Sequence, residues 1–278
     1  MRRTLLVKES LIKIFIWITA FLVLSFLFLI VGYVLKNGLA HLNPSFFLSN
    51  PKRLGKEGGI ASIILSTFYL TTLAIIFALP IGVGSAIFLS EYMKESVGKK
   101  LLTFLTETLA GIPSIIFGLF GFAFFVTWLK LGFSLLAGGL TLAVMILPTI
   151  IKTAEETLKA VPKSYKEASL ALGATKKQTI LRVLLPAAVP GIITGLILAL
   201  GRAIGETAAL LLTAGSSAKT PTSFLASGRS LAVHLYILAT EGISLEMSFA
   251  TASVLIVLVL IINSLANGLQ KRFQKKLA

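Results

Sequence analysis

Long apolar runs separated by short polar segments dominate the chain, and they predict helices that cross a membrane. Six runs are long enough, at about 11–35, 59–89, 101–129, 133–151, 190–213 and 247–269. An α-helix rises about 1.5 Å per residue, so about 20 residues cross a hydrocarbon core about 30 Å thick. The second and third runs exceed this length, which predicts tilt, kinks or projecting ends.

Composition strengthens this prediction. Of 278 residues, 56% are hydrophobic and only 13% are charged, whereas soluble domains carry about 25% charged residues. The six runs occupy most of the chain and leave no room for a separate soluble domain. We therefore expect an all-α integral membrane protein, with one transmembrane domain over residues 1–278.

The first run has an alternative interpretation as a secretory signal peptide, because Arg2, Arg3 and Lys8 precede it. Its apolar stretch is longer than a signal peptide requires, and no convincing cleavage site follows it. We therefore expect a retained transmembrane helix.

The distribution of positive charge predicts the orientation. The chain has 26 lysines and arginines against 11 acidic residues, a balance that could also indicate nucleic-acid binding. Most of these cations, however, lie in the two termini and in the segments 90–100 and 152–189, which share one side of the membrane. Cytoplasmic segments of membrane proteins carry an excess of lysine and arginine, so this distribution places both termini in the cytoplasm. Nucleic-acid binding is then not needed to explain the positive charge.

Motifs for catalysis or metal binding are missing from the sequence. It contains no cysteine and two distant histidines, His41 and His234, which we expect to be solvated or interfacial. It also lacks the G-x-x-x-x-G-K-[ST], H-E-x-x-H and G-x-S-x-G patterns. We therefore expect neither ATP hydrolysis, nor another enzymatic activity, nor a metal site in this chain.

The long inner segment 162–186 predicts two short helices. An S-x-x-E capping box predicts a helix over Ser164–Leu172, and Gly173 supplies the left-handed turn that ends it. A second capping box at Thr175 predicts an amphipathic helix near the membrane surface, which Pro186 closes.

Six positions of this segment share a spacing with a known motif: Glu167, Ala168, Ser169, Gly173, Leu185 and Pro186. They resemble the EAA loop of ABC importer permeases, with a serine in place of the second alanine. The resemblance implies the type I ABC importer permease fold. It also implies a coupling helix that docks on a cytoplasmic ATPase subunit, which would bind ATP and Mg²⁺.

Further stretches narrow the resemblance. Glu91-Tyr92, residues 110–119 and residues 201–208 are similar to permeases of the phosphate-specific (Pst) uptake system, and residues 206–214 resemble its A-type subunit. The family often has proline where this chain has Ala209. The resemblance implies phosphate import across a bacterial cytoplasmic membrane. It also implies three kinds of partner: a homologous C-type permease, two ATP-binding cassette subunits and an extracytoplasmic phosphate-binding protein.

Two charges within the fifth run are the strongest candidates for the substrate pathway. Arg202 lies about 12 residues after Pro190, or about 18 Å along a helix and close to the bilayer midplane. An arginine there costs about 2.5–3.5 kcal/mol, so we expect it to face a pathway or a partner. Glu206 follows at the spacing of a helical ion pair. We expect Arg202 to contact phosphate and Glu206 to be its resting partner; a salt bridge that only locks the spans together is the alternative.

Glycines recur along the same run and predict close helix packing. Gly191, Gly195, Gly201 and Gly205 follow the spacing of small residues that lets helices approach in membranes.

Pro113 and Ser114 are a second pathway candidate, about ten residues into the third run. Pro113 removes a backbone donor and predicts a kink or break. A broken helix offers free N–H groups to an anion, and Ser114 could add a hydroxyl. The alternative is a packing kink in which Ser114 bonds its own backbone.

Other functions remain open at this point. An ABC permease for another oxyanion, such as phosphonate, sulfate or molybdate, would share all these features. A secondary transporter or channel could use Arg202 and Glu206 for ion coupling, but the EAA-like segment argues against it. An intramembrane enzyme would need a catalytic residue set, which the sequence does not contain.

Overall fold

The computed structural model describes the backbone of residues 2–277 and the side chains of residues 12–265, 267 and 268. The predicted cytoplasmic cations Arg2, Arg3, Lys8 and those of 271–276 lie outside the described side chains. Within the described residues the regular secondary structure is helical, apart from one short hairpin near the end of the first span.

The first half of the chain contains three spans and the hairpin. Its helices are α1 Arg2–Leu39, α2 Pro44–Leu48, α3 Ala61–Ile87, α4 Val97–Ala110 and α5 Ser114–Gly121. Wider π-helical turns extend α3 over Phe88–Tyr92 and α5 over Phe122–Trp128. Strands β1 Pro51–Lys52 and β2 Glu57–Gly58 pair antiparallel between α2 and α3.

The second half contains three more spans and the inner segment. Its helices are α6 Leu135–Ala160, α7 Lys163–Ala171, α8 Lys176–Thr179, α9 Leu185–Ile204, α10 Ala208–Leu211, α11 Leu231–Thr240 and α12 Leu245–Leu277. A π-helical turn over Ile180–Leu184 joins α8 to α9 without a break.

The structure agrees with the prediction of six spans when one bent pair of helices is counted as a single span. Five continuous helices are long and apolar enough to cross a membrane: Ile12–Leu39, Ala61–Tyr92, Leu135–Ala160, Lys176–Ile204 and Leu245–Leu265. The third predicted span corresponds to α4 and the extended α5, which pass the test for a span only as a pair and are bent by 99° at the break between them. The protein is therefore a multi-pass membrane protein.

The fifth span differs most from its predicted bounds of 190–213. Its helix begins at Lys176 and ends at Ile204, so the expected helix end at Pro186 is wrong. Just before Pro186, the N–H of Leu185 bonds the carbonyl of Ile180, five residues earlier. This wider turn shifts the hydrogen-bond register and lets the helix continue past the proline ring.

The core lies where α3, α6 and α9 pack together. Leu70, Leu142, Met145, Ile146 and Ile150 are fully buried there. The α1 helix contributes little to this core, because its apolar side chains are mostly exposed and its carboxyl end packs against α12.

The predicted glycine contacts are confirmed at two of four positions. A Cβ at Gly191 would collide with Thr157, and one at Gly195 with Thr153, so α9 and α6 are in close contact there. The prediction is wrong for Gly201, where a Cβ would meet nothing within 4 Å, and for Gly205, which faces only backbone of its own helix.

Candidate translocation site and coupling helix

Arg202 lies close to the middle of the bundle. The α9 helix runs antiparallel to α6, with Gly191 against Thr157 and Gly195 against Thr153. Seven residues further along α9, about two helical turns, this register places Arg202 at about the level of Ile146. Since α6 spans Leu135–Ala160, this level is close to its centre and agrees with the predicted depth.

The surroundings of Arg202 include the end of a helix but no carboxylate of the described residues. Its side chain is half-buried in the last turn of α9, and Gly201 beside it faces empty space. Among the described residues, no carboxylate lies within ion-pair distance of its guanidinium. The negative end of the α9 dipole favours a cation here, so the charge has backbone support without being neutralised.

Glu206 does not pair with Arg202, and the predicted ion pair is therefore wrong. Because α9 ends at Ile204, the two residues do not share a helical face. The buried Glu206 carboxylate instead accepts a hydrogen bond from the backbone nitrogen of Ala209, at 3.1 Å from Oε1. It thereby caps the first turn of α10, where N–H groups lack helical partners.

The third span breaks at the position where Pro113 predicted a kink or break. The α4 helix ends at Ala110 and α5 starts at Ser114, immediately after the proline. No side chain caps the start of α5, so its first N–H groups lack side-chain acceptors. Pro113 is exposed and Ser114 is half-buried.

The breaks before α5 and α10 lie at about the same level. A Cβ at Gly118 would touch Ala209, and one at Gly121 would touch Thr213. The two segments therefore run in parallel. Ser114 and Gly205 each lie four residues before a contacting residue, Gly118 and Ala209 respectively, so they lie at about the same level. The amino end of α5 thus lies at about the level at which α9 ends, near mid-depth.

This arrangement suits an anion. A guanidinium supplies planar paired donors that match oxyanion geometry. The start of α5 adds unsatisfied N–H groups, the positive end of a helix and the Ser114 hydroxyl. These groups lie near the middle of the bundle, where broken helices of transporters commonly border a substrate path.

The inner segment forms the predicted helix, turn and second helix. The first helix is α7, and Gly173 follows it with a φ of +82°. The N–H of Gly173 bonds the carbonyl of Leu170, and the N–H of Ala174 bonds that of Ser169. These two bonds form a Schellman motif, which requires the left-handed conformation that glycine adopts easily.

The two predicted capping boxes have different outcomes. The box of Thr175 with Gln178 is confirmed, with both reciprocal hydrogen bonds present. The box at Ser164 is wrong, because α7 begins one residue earlier and Pro162 occupies the cap position without a side-chain bond.

Residues of the EAA-like segment divide into exposed and buried ones. Glu167 and Ala168 are exposed on α7, where a partner could contact them. Ser169 is buried, and its hydroxyl lies 2.9 Å from that of Thr179. Leu185 is half-buried and Pro186 exposed within the continuous helix. Their coupling role is untested by this geometry and stays a proposal.

The end of the bundle opposite α7 contains a buried basic pair that the sequence did not reveal. His234 is 1% exposed, so its expected solvated position is wrong. Arg229 donates to the carbonyl of Ser216 at 2.8 Å and contacts His234 Nδ1 at 3.2 Å. Burial, with a smaller contribution from Arg229, lowers the pKa of His234 to about 4. Burial likewise lowers the pKa of Arg229.

The end of the bundle that contains α7 has a polar cavity of about 100 Å³ between α4 and α6. Lys152 and Glu107 form an ion pair across it at 3.3 Å, and Glu155 pairs with Lys159 at 2.7 Å. Glu155 is only 6% exposed. Three acidic and two basic side chains line this cavity, which gives it little preference for an anion.

Comparisons with known proteins agree with this architecture. Residues 78–278 match the family described as binding-protein-dependent transport system inner membrane component. A probable ABC transporter permease, YqgI of Bacillus subtilis, is 33% identical over 262 residues, which cover 88% of this chain and 89% of YqgI. The phosphate transport system permease protein PstA of Pasteurella multocida is 29% identical over 261 residues, 93% of each chain. PstA 2 of Mycobacterium bovis is 34% identical over 225 residues, 78% of this chain and 74% of that protein.

Solved structures share the fold. A chain of the inward-facing methionine transporter MetNI superposes with a TM-score of 0.59 at 21% identity, and it covers 77% of this chain and 94% of its own. A chain of a bacterial ABC transporter that imports the polysaccharide alginate gives a TM-score of 0.55 at 17% identity. It covers 91% of this chain and 96% of its own. At these identities the likeness concerns the fold alone.

Proposed function

Because the chain belongs to the family of inner membrane components of binding-protein-dependent transport systems, we propose that it is a permease subunit of an ATP-driven importer of inorganic phosphate. One observation carries the choice of an anion: Arg202 lies half-buried near mid-depth, without an acidic partner among the described residues. The choice of phosphate is supported by relatives that are named as phosphate transport system permeases.

The site residues have distinct parts in this proposal. Arg202 binds phosphate in transit through paired N–H donors. The amino end of α5, with Ser114 and the break at Pro113, supplies further donors on the neighbouring segment. Glu206 holds the start of α10 and so keeps its carboxylate away from Arg202. A passing anion therefore does not have to displace an internal carboxylate before it binds.

Membership of this family implies a second permease and ATPase subunits in the same membrane complex. As the individual partners, we propose a C-type permease, two ATP-binding cassette subunits that bind ATP and Mg²⁺, and an extracytoplasmic phosphate-binding protein. In this arrangement both termini and α7 lie on the cytoplasmic side. The α7 helix then docks on an ATPase through its exposed Glu167 and Ala168.

The decisive experiment is phosphate uptake into vesicles that contain the chain with its partner subunits and binding protein. We expect phosphate uptake to require ATP and every partner. An excess of sulfate, molybdate or phosphonate should not inhibit it. Competition by one of these anions would instead identify another oxyanion as the substrate. Uptake driven by an ion gradient without the ATPase would contradict the proposal altogether.

Variants of Arg202 test the site itself. R202A should lower uptake by about tenfold or more, because one charge-assisted pair of hydrogen bonds contributes about 1.5–3 kcal/mol. R202K keeps the charge but loses the planar pair of donors, so we expect an intermediate rate. Normal uptake by R202A in a correctly assembled complex would show that Arg202 does not bind phosphate.

A further inference from the structure

An ion pair joins the coupling helix to a span that is distant from it in sequence. Lys166 Nζ, on α7, lies 2.6 Å from Glu91 Oε2, at the inner end of the second span. The Glu91 side chain is only 10% exposed and that of Lys166 39%. Water therefore screens this pair less than it screens an exposed surface pair.

Two further contacts strengthen the connection. Lys176 Nζ lies 4.5 Å from the centre of the Tyr92 ring, within the range of a cation–π interaction. The buried hydroxyl pair of Ser169 and Thr179 joins α7 to α8. The α7 helix is thus held to the second span directly, and to the helix of the fifth span through Thr179.

The helices of the second and fifth spans, which α7 contacts, both change to wider π-helical turns next to these contacts. The turn Phe88–Tyr92 contains Glu91 and Tyr92, and the turn Ile180–Leu184 directly follows Thr179. Such turns are rare and occur often at functional sites. Here they lie at the two places where the spans meet the inner segment.

The chain itself connects α7 only to α6 and to α8. A force on α7 would therefore reach the second span only indirectly, through packing, if the ion pair were absent. We propose that the Glu91–Lys166 pair is a strut through which movement of α7 is transmitted directly to the second span. Glu91 and Lys166 are then positioning residues that couple ATP use to transport; this inference rests on the proposed function.

The test uses the complete complex in vesicles and measures phosphate uptake and ATP hydrolysis in parallel. E91Q and K166M should lower the phosphate transported per ATP by about threefold or more, the size expected when a coupling contact is lost. The exchange E91K with K166E should restore at least half of the ratio. E95Q is the matched control, because it breaks an ion pair of the same 2.6 Å length that lies outside the contacts between α3 and α7.

A purely structural role predicts a different result. If E91Q and K166M lowered uptake and hydrolysis in proportion, the ratio would stay constant and the strut would be refuted. An equal loss of the ratio in E95Q would also contradict it. Rates are expressed per complex that co-purifies with the ATPase, so poor assembly does not imitate uncoupling.

A second measurement is independent of the substrate and separates failure of this inference from failure of the proposed function. The chain has no cysteine, so K94C and K163C place spin labels only at exposed sites flanking the ion pair. In the otherwise unchanged complex, the distance between the labels should be the same with and without ATP. In E91Q it should change or broaden on ATP binding; an unchanged distance in E91Q would overturn the inference, even if the complex transported another solute.

Discussion

Glu206 Oε1 accepts a hydrogen bond from the backbone nitrogen of Ala209 at 3.1 Å, and this contact separates the functions of two neighbouring charges. The carboxylate is buried at the start of α10 and fixes the backbone there. Arg202 remains without an acidic partner within the part of the chain that the structure describes. The charges that looked like one ion pair are therefore a helix cap and a candidate anion-binding group.

The cap can be tested by two substitutions of Glu206. E206Q keeps a side-chain oxygen for the Ala209 N–H, so we expect melting temperature and uptake close to those of the unchanged complex. E206A removes the acceptor and should lower the free energy of unfolding by about 1 kcal/mol, the usual cost of a lost cap. Equal loss of uptake in both variants, with normal stability, would instead indicate a role for the negative charge in transport.

Two glycines of α9 should respond oppositely to alanine. G195A places a methyl group against Thr153 and should destabilise the protein by about 1–3 kcal/mol, because packed interfaces tolerate extra volume poorly. G201A meets open space and should not lower stability, since alanine favours the helix by about 1 kcal/mol. Thermal unfolding of the purified complexes measures both changes. A loss of stability in G201A would show that a partner subunit packs against this position.

Ser169, which replaces the second alanine of the EAA pattern, should stabilise the protein only in combination with the hydroxyl of Thr179. S169A and T179V each leave one buried hydroxyl without its partner, which costs about 1–3 kcal/mol. The double variant S169A/T179V removes both polar groups and should recover much of the loss. Additive losses in the double variant, measured by unfolding of the complex, would show that the two hydroxyls do not stabilise each other.

Acid should destabilise the protein through His234. Its pKa of about 4 in the folded protein lies below the ordinary 6.5, so the unfolded chain takes up this proton first. Stability from the neutral ring is therefore complete above pH 6.5 and falls as the pH decreases to about 4. Protonation would also remove the Nδ1 acceptor of Arg229, which can only donate. The loss of unfolding free energy should be at most about 3 kcal/mol.

A substitution isolates this contribution to the pH dependence. H234Q keeps a possible acceptor for Arg229 but does not titrate. Between pH 6.5 and 4, the melting temperature of H234Q should fall less than that of the unchanged complex. Parallel curves for the two proteins would assign the acid sensitivity to other groups.

Local patterns in the sequence predicted elements whose causes are local. The spans follow from runs of apolar residues, because a bilayer requires about 20 of them in a helix. The turn at Gly173 and the cap at Thr175 follow from backbone preferences within a few residues. The break before Ser114 follows from Pro113, which lacks an N–H and clashes with the preceding turn.

Predictions that depended on where the helix of the fifth run begins and ends were among those that failed. The pairing of Arg202 with Glu206 required α9 to extend beyond Ile204, and only the packing of the following residues against α5 shows that it does not. The close approach of Ala209 to Gly118 depends on a contact across 91 positions of sequence, which no local pattern reveals. The continuation of α9 back to Lys176 depends similarly on a π-helical turn before Pro186.

The sequence by itself determined which apolar runs form the spans, where α7 and its glycine turn lie and which residues carry charge near mid-depth. Hydrophobicity, chain stiffness and capping act over a few residues, and so these features can be inferred from the order of amino acids. Tertiary structure decided which groups meet: Glu91 with Lys166, Ser169 with Thr179, and Glu206 with the amino end of α10 instead of Arg202. Those contacts depend on how helices pack and where they end, which is settled by the free energy of the whole bundle.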